Sequence, residues 1–377
     1  MTRVSLKRVV AFSLLVSVGV IVLLYKTTSN QIKCSKNSPQ GCPWYSIGNV
    51  TGYKVTPEPS RNATPPNSSA QVQMEFQGRG DPQIESTPLP ALPVQEERFV
   101  LILIISAPYN TIPRLTIRQT WLSVLVNKSV ALDRSNIRAM KDPTNASNDD
   151  LIIHYLFVCG HYYESQQKVE SAVENETRVY GDILRLEYTE TYSLLVHKTL
   201  TSLKFASTMN VKFVVKIDDD VYLDVPRMVW WLKTASLPEK LYGGDVLDKS
   251  HPIRNNASKY YVSYEEFNET IFPFYCNGPF YILSKNVVLE FLAASNHTRR
   301  FPLEDAYIGV LAKKVGVVPT HLREKGARLA FKLQHVERIW SDSELNKHFA
   351  LGDSLTPKRL FALHKRYVNI TLSQPPS

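Results

Sequence analysis

The chain has 377 residues, 44% hydrophobic and 21% charged, which suits one large globular domain or two small ones with a core of ordinary size. Its formal charge of +9 is mild for that length; alone it would admit a polyanion such as nucleic acid, but the N-terminus argues against one. Four cysteines are too few for a disulfide-built scaffold, and no Walker loop, G-x-G-x-x-G fingerprint or G-x-S-x-G elbow occurs.

In chain order, residues 1–8 form a short tail with Arg3, Lys7 and Arg8, followed by the uncharged apolar run Val9–Tyr25. Seventeen such residues reach the lower limit for a membrane-spanning helix, and the preceding cations keep the tail cytoplasmic. A cleaved signal peptide is the alternative, but its apolar region is usually shorter and no small-x-small site follows Tyr25. The reading is a signal anchor that sends everything after Lys26 across the membrane. Ten N-x-S/T sequons, at Asn49, Asn62, Asn67, Asn127, Asn145, Asn175, Asn256, Asn268, Asn296 and Asn369, independently favour a lumenal address. Cys34 and Cys42 could close a small loop beside the membrane, while Cys159 and Cys276 could pair or stay free. Residues 26–97 are rich in Pro, Ser, Thr, Asn and Gln, with too little apolar surface to offset the entropy of ordering, and read as a disordered stem.

From Phe99 the texture becomes α/β. A continuous apolar run predicts a strand buried on both faces at Phe99–Ser106, and further strands are read at Ile152–Cys159, Asp182–Glu187 and Lys212–Ile217. Between them, helices are expected at Pro113–Leu125, Tyr163–Glu176 and Tyr192–Thr208, which gives a mostly parallel central sheet. Beyond Leu241 the signals are mixed, with a short strand near Phe280–Leu283 and helices near Lys285–Ala294 and Glu304–Lys314. The catalytic domain is thus expected to occupy 98–377.

Asp218, Asp219 and Asp220 follow the fourth strand at its carboxyl end, where open α/β sheets place their sites. Adjacent carboxylates repel, so a hard divalent cation with diphosphate is a natural partner; a solvated acidic turn is the alternative. Glu304 and Asp305 open a helix, where carboxylates either stabilise the helix N-terminus or serve as a general base. Arg114, Arg118 and Trp121 share RLTIRQTW after the first strand and could grip a diphosphate and stack on a base, or form a surface pair. The aromatic loop Phe272–Tyr281, with Gly278, offers rings for sugar faces or a packed apolar corner.

Taken in order, RLTIRQTW (114–121), YGDILRLEYTETYSLLVHKT (180–199), KFVVKIDDDVYLD (212–224), YGGDV (242–246), FPFYCNGPFYILS (272–284) and EDAYIGVLAKKVGV (304–317) resemble glycosyltransferase family 31, the β-1,3-galactosyltransferase and β-1,3-N-acetylglucosaminyltransferase group. The resemblance implies a GT-A fold, residence in the Golgi membrane as a single-pass type II protein, and inverting, Mn²⁺-dependent transfer from a UDP-sugar, UDP-galactose first. Its partners would be that donor, a glycan acceptor on a glycoprotein or glycolipid, and the membrane; it leaves room for a homodimer. By motif position Asp218 and Asp220 become the metal-binding pair, with His348 completing it and His335 the alternative. Asp305 becomes the catalytic base, and Arg114, Arg118, Asp182, Lys198, Asp218 and Asp219 surround the nucleotide. Tyr275, Gly278 and Glu304 fall on the acceptor side. Leu311 stands where the family has a cysteine, which leaves Cys276 without its usual partner. A UDP-N-acetylhexosamine transferase, or an inactive lumenal glycan-binding protein on the same fold, are the other readings.

Overall fold

The computed structural model describes residues 98–127, 137–141, 150–162, 167–331, 336–352 and 354–373. The expected tail, anchor and stem, together with Cys34, Cys42 and His335, lie outside the described residues. Among the described residues no helix is long and apolar enough to cross a membrane.

The chain opens with β1 (Arg98–Ile105), α1 (Thr111–Gln119), the short strands β2 (Val126–Asn127) and β3 (Ile137–Lys141), and β4 (Asp150–His161). It continues through α2 (Gln167–Tyr180), β5 (Ile183–Thr189), α3 (Leu195–Ser207) and β6 (Val211–Asp218). Then come β7 (Tyr222–Leu223), α4 (Val225–Thr234), β8 (Tyr242–Leu247), β9 (Tyr275–Ser284), α5 (Lys285–Ser295) and α6 (Glu304–Lys314). The last elements are β10 (Thr320–His321), β11 (Leu329–Ala330), α7 (Val336–Ile339), α8 (Asp342–Leu345), β12 (Ala350–Leu351) and α9 (Pro357–Ser373).

The main sheet has the order β10-β8-β9-β6-β1-β4-β3-β2, with β5 also paired to β4. β6, β1, β4 and β5 form a parallel centre, the α/β arrangement expected from the apolar runs. On one side β9 runs antiparallel to β6 and β8 antiparallel to β9, and on the other β3 runs antiparallel to β4. Because side chains alternate across a strand, Val100, Ile102 and Ile104 enter one core layer while Leu101 and Leu103 enter the other. The first layer is closed by α1, α4 and α9 and the second by α3, α5 and α6, so the central strands are buried on both faces. Cys159 and Cys276 are buried free thiols in opposite layers, which rules out a bridge between them.

Several element ends differ from the sequence reading: α2 runs to Tyr180 rather than Glu176, and β9 spans Tyr275–Ser284 rather than Phe280–Leu283. α1 stops at Gln119 rather than Leu125: the backbone leaves helical geometry at Thr120 (φ −111°, ψ −108°). There the hydroxyls of Thr120 and Ser123 bond the carbonyls of Thr116 and Thr120, offering the backbone an alternative to the helical ladder. Between α1 and β4, β2 and β3 extend the sheet edge beside β4.

The approach of α6 to β9 positions the Glu304–Asp305 end. Gly309 on α6 faces the start of β9, and a Cβ there would lie 2.5 Å from Tyr275 Cβ and 2.9 Å from the Phe274 carbonyl oxygen. Gly309→Ala must therefore push helix and strand apart. It should lower unfolding free energy by about 1–3 kcal/mol in urea titrations; an unchanged midpoint would show that the contact yields freely.

Candidate active site

At the carboxyl ends of β1 and β6 lies a cavity of about 380 Å³, the size of an ordinary small-ligand pocket. Asp218, Asp219, Asp220 and Lys198 line it, together with Tyr109, Asn110, Tyr162, Glu190 and Tyr192. Strand β6 delivers the three carboxylates in different directions. Asp219 turns inward, where its backbone N–H donates to Ile105 O (3.2 Å) and its Oδ2 accepts from Asn110 Nδ2 (2.9 Å). Burial raises its pKa against the pull of the hydrogen bonds from Ser106 and Asn110. Asp220 Oδ2 accepts from the backbone N–H of Ser354 (2.9 Å), and its carbonyl accepts from Leu355 N (3.1 Å).

Asp218 is held by a residue that the sequence reading did not single out. Lys216, in β6 and only 2% exposed, donates from Nζ to Asp218 Oδ1 at 2.6 Å and to the carbonyl oxygen of Gly278. Its ammonium is also 3.8 Å from Glu304 Oε2. Burial opposes the charge on Lys216, but the facing carboxylates of Asp218, Glu304 and Asp305 outweigh it and raise its pKa above that of an ordinary lysine. Glu304 is 3% exposed; its Oε1 accepts from the Tyr281 hydroxyl at 2.6 Å, and burial raises its pKa despite the attraction of Lys216. A lysine inside the apolar run FVVKI was the available signal, because such a strand normally excludes charge unless it is paired.

Asp305 sits in the first turn of α6, where Oδ1 accepts from Ala306 N (2.8 Å) and Oδ2 from Gly278 N (3.2 Å). Burial raises its pKa, opposed by these N–H groups and Lys216 and reinforced by the charge on Asp218. The Gly278 backbone thus touches both carboxylate systems: its N–H reaches Asp305 and its carbonyl reaches Lys216, which in turn holds Asp218. A side chain at this position would press on Asp305, since an added Cβ would lie 3.3 Å from Oδ2.

Lys198 lines the cavity but is fully engaged. Its Nζ donates to Ser106 O (2.7 Å) and to both oxygens of Glu190 (2.8 and 2.9 Å), and Glu190 also accepts from Gly160 N. The ends of β1 and β4 and the loop after β5 are tied at this one ammonium. Tyr109 and Tyr162 stack across the same wall, with ring centroids 5.8 Å apart.

Several expected site residues fall elsewhere. Arg114 is wholly buried and bidentate to Glu176 (2.9 and 2.7 Å), and it also donates to the carbonyls of Ala107 and Pro108. Arg118 is bidentate to Asp182 (2.7 and 2.5 Å), donates to Glu176, and packs over Phe157 and Tyr180. Neither guanidinium, nor Asp182, lines the cavity: the expected diphosphate grip is replaced by an internal ion-pair network that fixes the β1–α1 loop from behind. Trp121 is a core residue, 1% exposed, and stacks on no cavity wall.

His348 is a further correction. β12 pairs antiparallel with β7 in the register Ala350↔Leu223 and Leu351↔Tyr222, so His348 lies beyond the end of that ladder away from Asp220. It is buried against Trp340 with its Nδ1 at Glu344 O (3.0 Å), and burial lowers its pKa. The segment brought to Asp220 is instead the turn at Ser354. On the expected acceptor side, Glu304 and Tyr275 (9% exposed) are enclosed, and Gly278 contributes backbone only.

Residues 113–323, more than half of the chain, match the galactosyltransferase family, and the chain belongs to that family, a group of hexosyltransferases. It is 25% identical over 277 residues to the mouse acetylgalactosaminyl-O-glycosyl-glycoprotein β-1,3-N-acetylglucosaminyltransferase, covering 73% of this chain and 66% of that one. It is 26% identical over 270 residues to human β-1,3-galactosyltransferase 1, covering 66% of this chain and 75% of that one. With the rat UDP-GalNAc:β-1,3-N-acetylgalactosaminyltransferase 1 it shares 28% identity over 219 residues, 57% of this chain and 60% of that one.

The ion-pair network is testable apart from catalysis. Glu176→Gln would strand the Arg114 guanidinium in a dry site, and the expected loss is about 3–5 kcal/mol by chemical denaturation. A loss well under that range would mean that the network is not what anchors the β1–α1 loop.

Proposed function

We propose that this chain is an inverting β-1,3-hexosyltransferase that uses UDP-galactose as donor and a glycan on a glycoprotein or glycolipid as acceptor. The observation that carries the reading is the Gly278 backbone, which ties Asp305, itself outside the cavity lining, to the Lys216 that holds the cavity residue Asp218. The β-1,3 linkage rests on the names of the relatives, all three of which specify it.

In this mechanism the donor's diphosphate lies over Asp218–Asp220. Asp305 accepts the proton of the acceptor hydroxyl as its oxygen bonds to the anomeric carbon. The carbon–phosphate-oxygen bond breaks, and its electron pair leaves with UDP. Partial burial raises the basicity of Asp305, and the N–H groups of Gly278 and Ala306 fix its orientation. Lys216 keeps Asp218 in place without occupying the cavity.

Among the described residues no three His, Cys, Asp or Glu side chains converge as a ready metal cage. Asp218 and Asp220 nonetheless suit a hard ion that takes its remaining ligands from diphosphate oxygens and water. Mn²⁺ held there would offset the charge that gathers on departing UDP.

The proposed setting is the Golgi membrane, with the chain anchored as a type II protein by Val9–Tyr25. Every sequon asparagine whose side chain is described, at 175, 256, 268, 296 and 369, is exposed, which supports a lumenal domain.

The full chain, purified in detergent, should release UDP in the presence of an acceptor with one donor among UDP-galactose, UDP-N-acetylglucosamine and UDP-N-acetylgalactosamine. EDTA and Asp220→Ala should abolish the release, and Asp305→Asn should slow it by about 10²–10⁴-fold. Preference for an N-acetylhexosamine donor would move the assignment toward the first or third relative; failure to bind any uridine nucleotide would remove it. Because Asp305 must be ionised and its pKa is raised, kcat should fall with decreasing pH above the ordinary carboxylate range.

A further inference from the structure

A glycan acceptor needs a surface beside Asp305, yet Tyr275 and Glu304 are enclosed and Gly278 presents only backbone. Exposed aromatic surface at the cavity comes from two places: Tyr109, stacked on Tyr162, and a second pair that begins at Tyr192 and feels the charge of Asp305. Tyr192, which follows β5 and lines the cavity, is 47% exposed, and Tyr260, from the loop between β8 and β9, is 41% exposed. Their rings meet edge to face, with centroids 6.2 Å apart and planes at 74°. The Tyr192 hydroxyl is pushed up to about 12 by partial burial, then by Tyr260 and by the carboxylates of Asp305, Glu304 and Asp218, so the pair stands within the field of the proposed base.

Lys259 completes the group. Its Nζ is 4.7 Å from the Tyr260 centroid and 5.9 Å from that of Tyr192. Among the described residues no carboxylate forms an ion pair with Lys259, and its side chain is exposed. The neighbouring cation Arg254 differs: its guanidinium donates to the carbonyls of Val262, Phe267 and Glu269 and stacks over Tyr264, so it is bound into its own loop.

Pyranose rings present an apolar C–H face that packs on tyrosine, while their hydroxyls stay in water. An ammonium held over the same rings selects for a negative group on the ligand. We propose that Tyr192, Tyr260 and Lys259 form the acceptor platform, and that it takes a saccharide carrying a carboxylate or a sulfate ester beside the pyranose that stacks. The Tyr192–Tyr260 pair holds the sugar next to the cavity; Lys259 reads its charge. The inference rests on the transferase reading, to which it adds the chemical class of the acceptor.

The test uses the full chain in detergent with saturating UDP-galactose and three acceptor probes: p-nitrophenyl β-galactoside, its 6-sulfate, and the corresponding uronide. Binding of neutral, sulfated and carboxylated glycans on an array, with UDP present, gives a readout that needs no turnover. The wild-type chain should prefer both anionic probes in at least one assay. Tyr260→Ala should weaken all acceptors about tenfold while leaving the UDP-galactose KM unchanged. Lys259→Glu should weaken the anionic probes about tenfold and spare the neutral one. Preference for only one of the two anions narrows the charge to carboxylate or sulfate and still supports the platform. Neutral probes bound as well as anionic ones, with Lys259→Glu silent, would overturn the charge reading. An unaltered response to Tyr260→Ala would overturn the platform while leaving the transferase assignment standing. If no uridine nucleotide bound at all, both would fall together.

Discussion

A buried lysine needs anions around it, and that electrostatic constraint organises the site. Lys216 lies on the sheet face covered by α6, where an unpaired ammonium would be strongly disfavoured. Its neighbours meet the need from three directions: Asp218 along its own strand, Gly278 on β9 and Glu304 on α6. The arrangement requires α6 to dock with its N-terminal turn against β9, and Gly309 permits that approach. Fold and site thus share one cause, since the charge that must be neutralised in the core gathers the carboxylates proposed for chemistry.

A second, separate network stabilises the opposite wall. Arg114 and Arg118 share Glu176, and Asp182 closes the set, so two cations face two carboxylates with little solvent between them. Buried pairs of this kind add modest net stability but strongly penalise the loss of either partner. Here they also hold the carbonyls of Ala107 and Pro108, which shapes the loop before α1 and so the edge of the cavity.

The central strands were legible because a strand buried on both faces leaves a mostly apolar run: β1 has an unbroken one, and those of β4 and β6 are broken only by the buried His154 and Lys216. β8 was not, because YGGDVL contains two glycines and a partly exposed aspartate, and its ladder to β9 shifts register at that point. The Asp218–Asp220 run was legible as a strand-end cluster, although its three directions depend on Asn110 and Ser354, which are distant in sequence, as well as on the neighbouring buried Lys216. The roles of Arg114 and Arg118 were obscured for the same reason. Helical spacing puts them on one face, but only the fold shows that Glu176 and Asp182 already occupy it. His348 followed from its position before the last helix, and the register of β12 on β7 carried it away from Asp220.

Gly278 has an ammonium at its carbonyl and a carboxylate at its N–H, one contact on each of the two peptide units that meet at its Cα. The coupling it provides is positional rather than electronic. A backbone shift at this one residue would lengthen both hydrogen bonds together, so the placement of Asp305 and that of Lys216, which holds Asp218, share a single hinge point.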